Sequence, residues 1–208
     1  MHLRLPAILC AARPHGEHGA VLRLLTADHG LTAAYCAGAR GRRLRPLLIP
    51  GNRLDAEISA RSASQLPFVR VELVESRGPW LSEPLASAAI AWACALTATS
   101  LAEGHPYPSL YDALGGLLDA ICHAPSARGW GPALAAYEAL LLRELGYGGA
   151  PLPAEPESWA VLLARLDRQG RALQTRLLAD RGLAGRKGGV MATRSILIER
   201  LQRIAGDS

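Results

Sequence analysis

Along residues 54–60 and 69–73, apolar and polar positions alternate with the period of two that a half-buried β-strand requires. Leu54, Ala56, Ile58 and Ala60 alternate with Asp55, Glu57 and Ser59, and Val69, Val71 and Leu73 alternate with Arg70 and Glu72. The polar stretch 62–66 predicts a hairpin between them. Upstream, apolar runs at 5–12, 20–26 and 31–37 are punctuated by Pro14, Gly16 and Gly19 and then by Asp28-His29-Gly30, residues that favour turns. Five strands with no room for crossover helices suit a small closed barrel. The five-stranded OB-fold is the commonest such barrel that binds oligonucleotides, and an SH3-like barrel fits the same alternation.

From residue 82 the spacing becomes helical. Leu110, Leu114, Leu117, Leu118 and Ile121 share one face behind an S-x-x-D capping signal at Ser109 and Asp112. A second helix is predicted over 132–145, with Pro132 in its first turn and Gly146 at its stop. After a proline-rich link at 148–156, Ser158 caps a helix reaching about residue 168, Gly170 interrupts it, and a basic loop at 181–189 precedes a last helix over 193–204. The uncharged segment 84–102 approaches the ~20 residues that span a bilayer. Alanine, serine and threonine dominate it and no basic residue flanks it, which predicts a central helix buried on most sides. The expected fold is α+β: an N-terminal five-stranded OB-fold barrel over 1–80 that binds nucleic acid, followed by an all-helical C-terminal domain over 81–208.

Charge sharpens this division. The formal net charge of +5 hides basic ends around an acidic middle. Residues 1–53 carry eight arginines against Glu17 and Asp28, residues 54–159 carry five basic and twelve acidic groups, and residues 160–208 carry ten basic and four acidic groups. Such asymmetry points to nucleic acid or membrane contact. Nearly every basic residue is arginine, which an alanine- and glycine-rich composition attributes to GC-rich coding, so the positions of the arginines are informative and their type is not.

The densest of those positions is Gly38-Ala-Arg-Gly-Arg-Arg-Leu-Arg45, with four arginines in eight residues and no acid among them. A strand-connecting loop of this kind projects Arg40, Arg42, Arg43 and Arg45 along a barrel rim, and Arg13 and Arg53 extend the surface if the strands close as predicted. Neutralising phosphates releases counterions and gives sequence-independent affinity that falls with salt. Tyr35, Phe68 and Trp80 are the only aromatic residues among the first 80, so stacking on a platform of several rings is not expected. Contact to the backbone would leave bases free to pair, as strand annealing demands.

Catalysis finds little support. His15-Gly-Glu-His18 has two imidazoles but an intervening glycine and no third ligand. Gly185-Arg-Lys-Gly-Gly189 lacks the spacing of a nucleotide-binding P-loop, and no G-x-S-x-G elbow singles out a nucleophile. Cysteines 10, 36, 94 and 122 form no C-x-x-C pair and read as buried thiols. The expectation is a protein that is not an enzyme, with no cofactor and no metal. The first residues lack the apolar run of a secretory signal, so the expected location is the bacterial cytoplasm, without membrane contact.

Arg13-Pro-His-Gly-Glu17, Leu24-Leu-Thr26 with His29-Gly30, Gly38-Ala-Arg40 and Leu141-Leu-Arg-Glu-Leu-Gly-Tyr-Gly148 resemble, in order and spacing, the RecO family of bacterial recombination mediators. The resemblance covers nearly the whole chain. It implies an OB-fold that binds single- and double-stranded DNA, a helical domain, annealing of complementary strands, and partnership with RecR and the C-terminal tail of single-strand-binding protein during RecA loading at the nucleoid. It also implies an apolar groove bordered by arginines for that tail, for which Arg128, Arg143, Arg165 and Arg168 are candidates. Ala37 stands where many relatives have lysine, and Arg42, Arg43 and Arg45 would substitute for it. The four-cysteine zinc module of some members has no counterpart between Gly148 and Glu157. The rival reading is an adaptor whose barrel binds a protein partner and whose arginines serve solubility.

Overall fold

The computed structural model describes residues 2–60, 62, 65–148, 151, 153, 155–179 and 189–206, with side chains as far as 204. Five strands, β1 (His2–His15), β2 (Gly19–Thr26), β3 (Gly30–Cys36), β4 (Arg53–Ser59) and β5 (Phe68–Glu75), close into a barrel in the order β1-β2-β3-β5-β4. β3 meets β5 in parallel and the other neighbours are antiparallel. This is the OB-like topology that the alternation predicted.

β1 is longer than its apolar run because it serves two neighbours. Residues 2–8 pair with β4 and residues 8–15 with β2, and a register shift between Leu9 and Ala11 bends the strand where the barrel turns. Leu9, Leu22, Leu24, Leu54, Ala56 and Ile58 fill the barrel interior. Leu73 departs from the predicted inward face. A register shift between Arg53 and Leu54 lies opposite it, and it is 42% exposed. The β4–β5 connection falls partly outside the described residues.

The helices are α1 (Pro84–Ser100), α2 (Pro108–His123), α3 (Ala127–Glu144), α4 (Trp159–Ala172) and α5 (Val190–Gly206). A 3₁₀ turn, Gly78–Ser82, precedes α1, and a π-helical turn, Leu173–Leu178, continues α4. One compact unit comprises Met1–Glu83 with Cys94–Asp112, the other Pro84–Ala93 with Ala113–Ser208. α1 is thus divided, its first part belonging to the second of these units and its second part to the first. Ala88, Ala89, Ile90, Trp92 and Ala93 are buried, and no helix among the described residues is long and apolar enough to cross a membrane.

Three predicted boundaries shift for local reasons. α2 begins at Pro108, whose missing N–H costs nothing in a first turn, and the N–H groups of Leu110 and Tyr111 bond the Tyr107 carbonyl; Ser109 lies inside the helix rather than capping it. α3 begins at Ala127, five residues before Pro132, which sits within the helix. It stops as predicted at Gly146, at φ +80°, where Gly146 N–H bonds the Arg143 carbonyl and Tyr147 N–H the Leu142 carbonyl. Ser158 caps α4 by accepting from Val161 N–H. Gly170 does not interrupt α4. It leaves room for the Arg194 guanidinium, which a Cβ there would strike.

Candidate nucleic-acid interface

Residues 37–52 join β3 to β4 as a wound, internally bonded segment. Gly38, at φ +66°, turns the chain, Gly41 N–H bonds the Gly38 carbonyl, Arg45 N–H the Gly41 carbonyl, and Leu48 N–H the Leu44 carbonyl. Ala39 is buried in the barrel core, and Leu44 and Leu48 pack against it. With its apolar positions turned inward, the segment leaves Arg40, Arg42, Arg43 and Arg45 exposed. Arg40 is also tied to the β1–β2 turn: its Nη1 donates to the Glu17 carbonyl at 3.1 Å and its N–H to the His18 carbonyl at 3.3 Å.

The two outlying arginines differ. Arg13 is exposed on β1 opposite Val21. Arg53 is half-buried, with Nε 3.2 Å from Glu75 Oε2, and the same carboxylate takes the fully buried Arg77 at 2.8 Å. Arg53 is therefore engaged in holding the barrel.

Three rings the sequence left scattered come together on the outer face of the barrel. Tyr35 pairs across the parallel β3–β5 junction with Phe68, their centroids 5.6 Å apart and rings near-perpendicular, and His15 meets Tyr35 edge-on at 5.9 Å. The Tyr35 ring lies over Gly19, where any Cβ would overlap it. Phe68 remains 56% exposed. It borders a groove of about 1020 Å³ whose walls include Ala37, Arg43 and Leu44 from the arginine segment and Arg70 from β5. The acids in the same groove are partnered: Arg4 bridges Asp55 at 2.8 Å and Glu72 at 3.0 Å, and His2 lies 3.4 Å from Glu57. The hydrogen bond to Asp55, more than the nearby charges, raises the Arg4 pKa above its ordinary value.

Tyr35 and Phe68 were visible in sequence, but their pairing was not. It depends on two strands that are not consecutive and on a hairpin register that local alternation leaves undetermined.

In the helical unit, Ala113, Gly116 and Leu117 of α2 and Ala133, Ala136 and Leu140 of α3 line an apolar recess of about 310 Å³ that Arg143 borders. The other three candidate arginines lie elsewhere. Arg165 is buried against Glu157 at 2.5 Å, the Arg128 guanidinium stands 5.2 Å above the Trp159 ring, and Arg168 is exposed on α4. Small residues on both helices open this recess, and their i, i+3 spacing was a signal available in the sequence.

His15 ends β1 and packs on Tyr35 while His18 lies in the following turn, and among the described residues no three His, Cys, Asp or Glu side chains cluster as metal ligands would. All four cysteines are buried free thiols, with Cys10 pushed up to about 12 by burial. The 181–188 part of the basic loop lies outside the described residues.

Two family models match the chain: Recombination protein O N terminal over residues 1–77 and Recombination protein O C terminal over 81–149. Proteins named DNA repair protein RecO are similar in sequence. That of Rhodospirillum centenum is 41% identical over 143 residues, covering 68% of this chain and 56% of the relative. Those of Phenylobacterium zucineum and Rhodospirillum rubrum are 39% and 40% identical, covering 68% of this chain and 58% and 57% of their own lengths. The chain thus spans less than two thirds of the length of these relatives.

Proposed function

From a chain that belongs to the Recombination protein O family of DNA repair proteins, we propose a DNA-binding and strand-annealing protein that works without catalysis of its own. The observation that carries this reading is the arginine segment: Ala39, Leu44 and Leu48 anchor it to the barrel while Arg40, Arg42, Arg43 and Arg45 face solvent. The anchored backbone gathers the four guanidinium groups on one surface, and their forked N–H groups match phosphate oxygens. Phosphate contacts carry no sequence information and are offered by single and double strands alike, and complementary strands held by their backbones keep their bases available for pairing. Arg13 adds a phosphate contact at the edge of this surface, and Arg53 a weaker one because Glu75 already engages it.

In the second unit, the recess bordered by Arg143 takes the acidic, apolar C-terminal tail of single-strand-binding protein, whereas Arg128, Arg165 and Arg168 do not line it. RecR is the further partner, and RecA loading on the coated strand is the outcome served.

The test is a fluorescence annealing assay with complementary oligonucleotides, bare and coated with single-strand-binding protein. The protein should accelerate annealing in both cases without ATP or divalent metal. Replacing Arg40, Arg42, Arg43 and Arg45 together by alanine should lower the slope of log affinity against log salt on single strands by about 0.7 per lost contact, or about 3 in all. Unchanged affinity and slope would remove the assignment.

A further inference from the structure

We propose that Phe68 is a stacking platform for an unpaired base, held in place by Tyr35 and His15, of a single strand whose phosphates lie along the arginine segment. This rests on the DNA-binding reading above and adds to it the state of the nucleic acid: the groove distinguishes unpaired bases from bare backbone.

A large apolar ring that is 56% exposed costs free energy in water unless something covers it. Its neighbours restrict its motion. The edge of one ring against the face of the next fixes Phe68 on Tyr35, and Tyr35 in turn is seated over Gly19 and flanked by His15. A preorganised ring loses little entropy on stacking. Charge completes the site. Arg43 and Arg70 line the same groove as Phe68, Arg40 is bonded to the turn that follows His15, and Arg13 stands two residues before it.

Two of the three carboxylates of the groove stand apart from this end, and the third, Glu57, which is opposite Arg70 in register, lies 3.4 Å from His2. Phe68 pairs with Ser59, whereas Glu72 lies four residues further along β5, roughly 13 Å away at strand rise, and is bridged with Asp55 by Arg4. Arg43, Arg70 and an exposed ring at one end, with Asp55 and Glu72 drawn to Arg4 at the other, suit a single-stranded nucleic acid. An apolar peptide would have no use for the arginines, and duplex would present no base face. One ring engages one base, so most bases of the strand remain free to pair.

The experiment uses the full chain and two fluorescent oligomers of equal length, oligothymidylate and the same backbone with abasic sites, titrated at fixed salt. The unmodified protein should bind the abasic oligomer about fivefold or more weakly. Phe68→Ala should lose affinity for oligothymidylate by a similar factor, bind the abasic oligomer as before, and so erase the difference. Phe68→Trp should restore the difference, and the fluorescence it adds should be quenched by oligothymidylate and not by the abasic oligomer. If Phe68→Ala keeps the full preference, or the fluorescence added by Phe68→Trp is unmoved by oligothymidylate, the stacking role is overturned. Loss of both oligomers in the quadruple arginine variant would then still uphold the phosphate-binding reading. If that variant binds both oligomers normally, the underlying reading falls instead.

Discussion

Arg194 forks onto Glu138 inside the helical unit, with Nε 3.0 Å from one carboxylate oxygen and Nη2 2.9 Å from the other. The two side chains are 6% and 0% exposed, and the Trp92 indole N–H donates to the same carboxylate at 2.8 Å. α3, α5 and the first part of α1 therefore meet at one buried charge. Two ions out of water are tolerable only while each satisfies the other, so removing one is far costlier than removing both. Glu138→Ala should destabilise the protein by roughly 3–5 kcal/mol. The double change Glu138→Leu with Arg194→Met should cost less than Glu138→Ala alone. Urea unfolding of the two variants and the unmodified protein, followed by far-ultraviolet circular dichroism, checks the order.

A second prediction concerns glycines that look alike in sequence. Gly30 has φ +63°, and a Cβ on it would run into the His105 backbone carbonyl; Gly104 has φ +71° and open space around it. Gly30→Ala should therefore cost at least about 2 kcal/mol, from left-handed strain plus overlap with a backbone that cannot yield. Gly104→Asn, whose residue tolerates that conformation, should cost under about 1 kcal/mol. Thermal unfolding of both variants measures the contrast.

The five strands were legible because the barrel buries one face of each, and burial writes a period of two into residues 54–60 and 69–71. The outward arginine segment was legible as charge, and its wound form was not, since only the Gly38 turn and the docking of Ala39, Leu44 and Leu48 impose it. Pro132 read as a helix start because proline favours first turns, yet α3 absorbs it within its body. The Phe68–Tyr35 pair, the Glu138–Arg194 pair and the space that Gly170 leaves for Arg194 all join residues distant in sequence, where local periodicity is silent.

The buried thiols give a pH prediction. Cys10 ionises near 9 when exposed, and burial pushes it up to about 12; Cys94 is raised well above the same value for the same reason. Below pH 9 both folded and unfolded chains keep these protons, and the stabilisation is complete. Between 9 and about 12 the unfolded chain loses protons that the folded chain retains, so stability falls as pH rises. Cys10→Ala should flatten the decline in unfolding free energy between pH 9 and 10.5. A thiol reagent at pH 8 should leave Cys10 and Cys94 unmodified until the protein unfolds.

The four candidate tail-binding arginines should separate on charge reversal, because their settings differ. Arg143 borders the apolar recess between α2 and α3, where an acidic peptide with apolar side chains can place both kinds of group. Arg143→Glu should weaken binding of a synthetic tail peptide roughly tenfold, the weight of one charge-assisted hydrogen bond of ~1.5 kcal/mol, and leave unfolding unchanged. Arg165 is buried against Glu157, so Arg165→Glu should set two carboxylates together and lower the melting temperature. Arg168→Glu, at an exposed position on α4, should move neither quantity. Calorimetric titration of the peptide beside thermal unfolding tells these outcomes apart, and equal peptide affinity for Arg143→Glu and the unmodified protein would take the tail away from this recess.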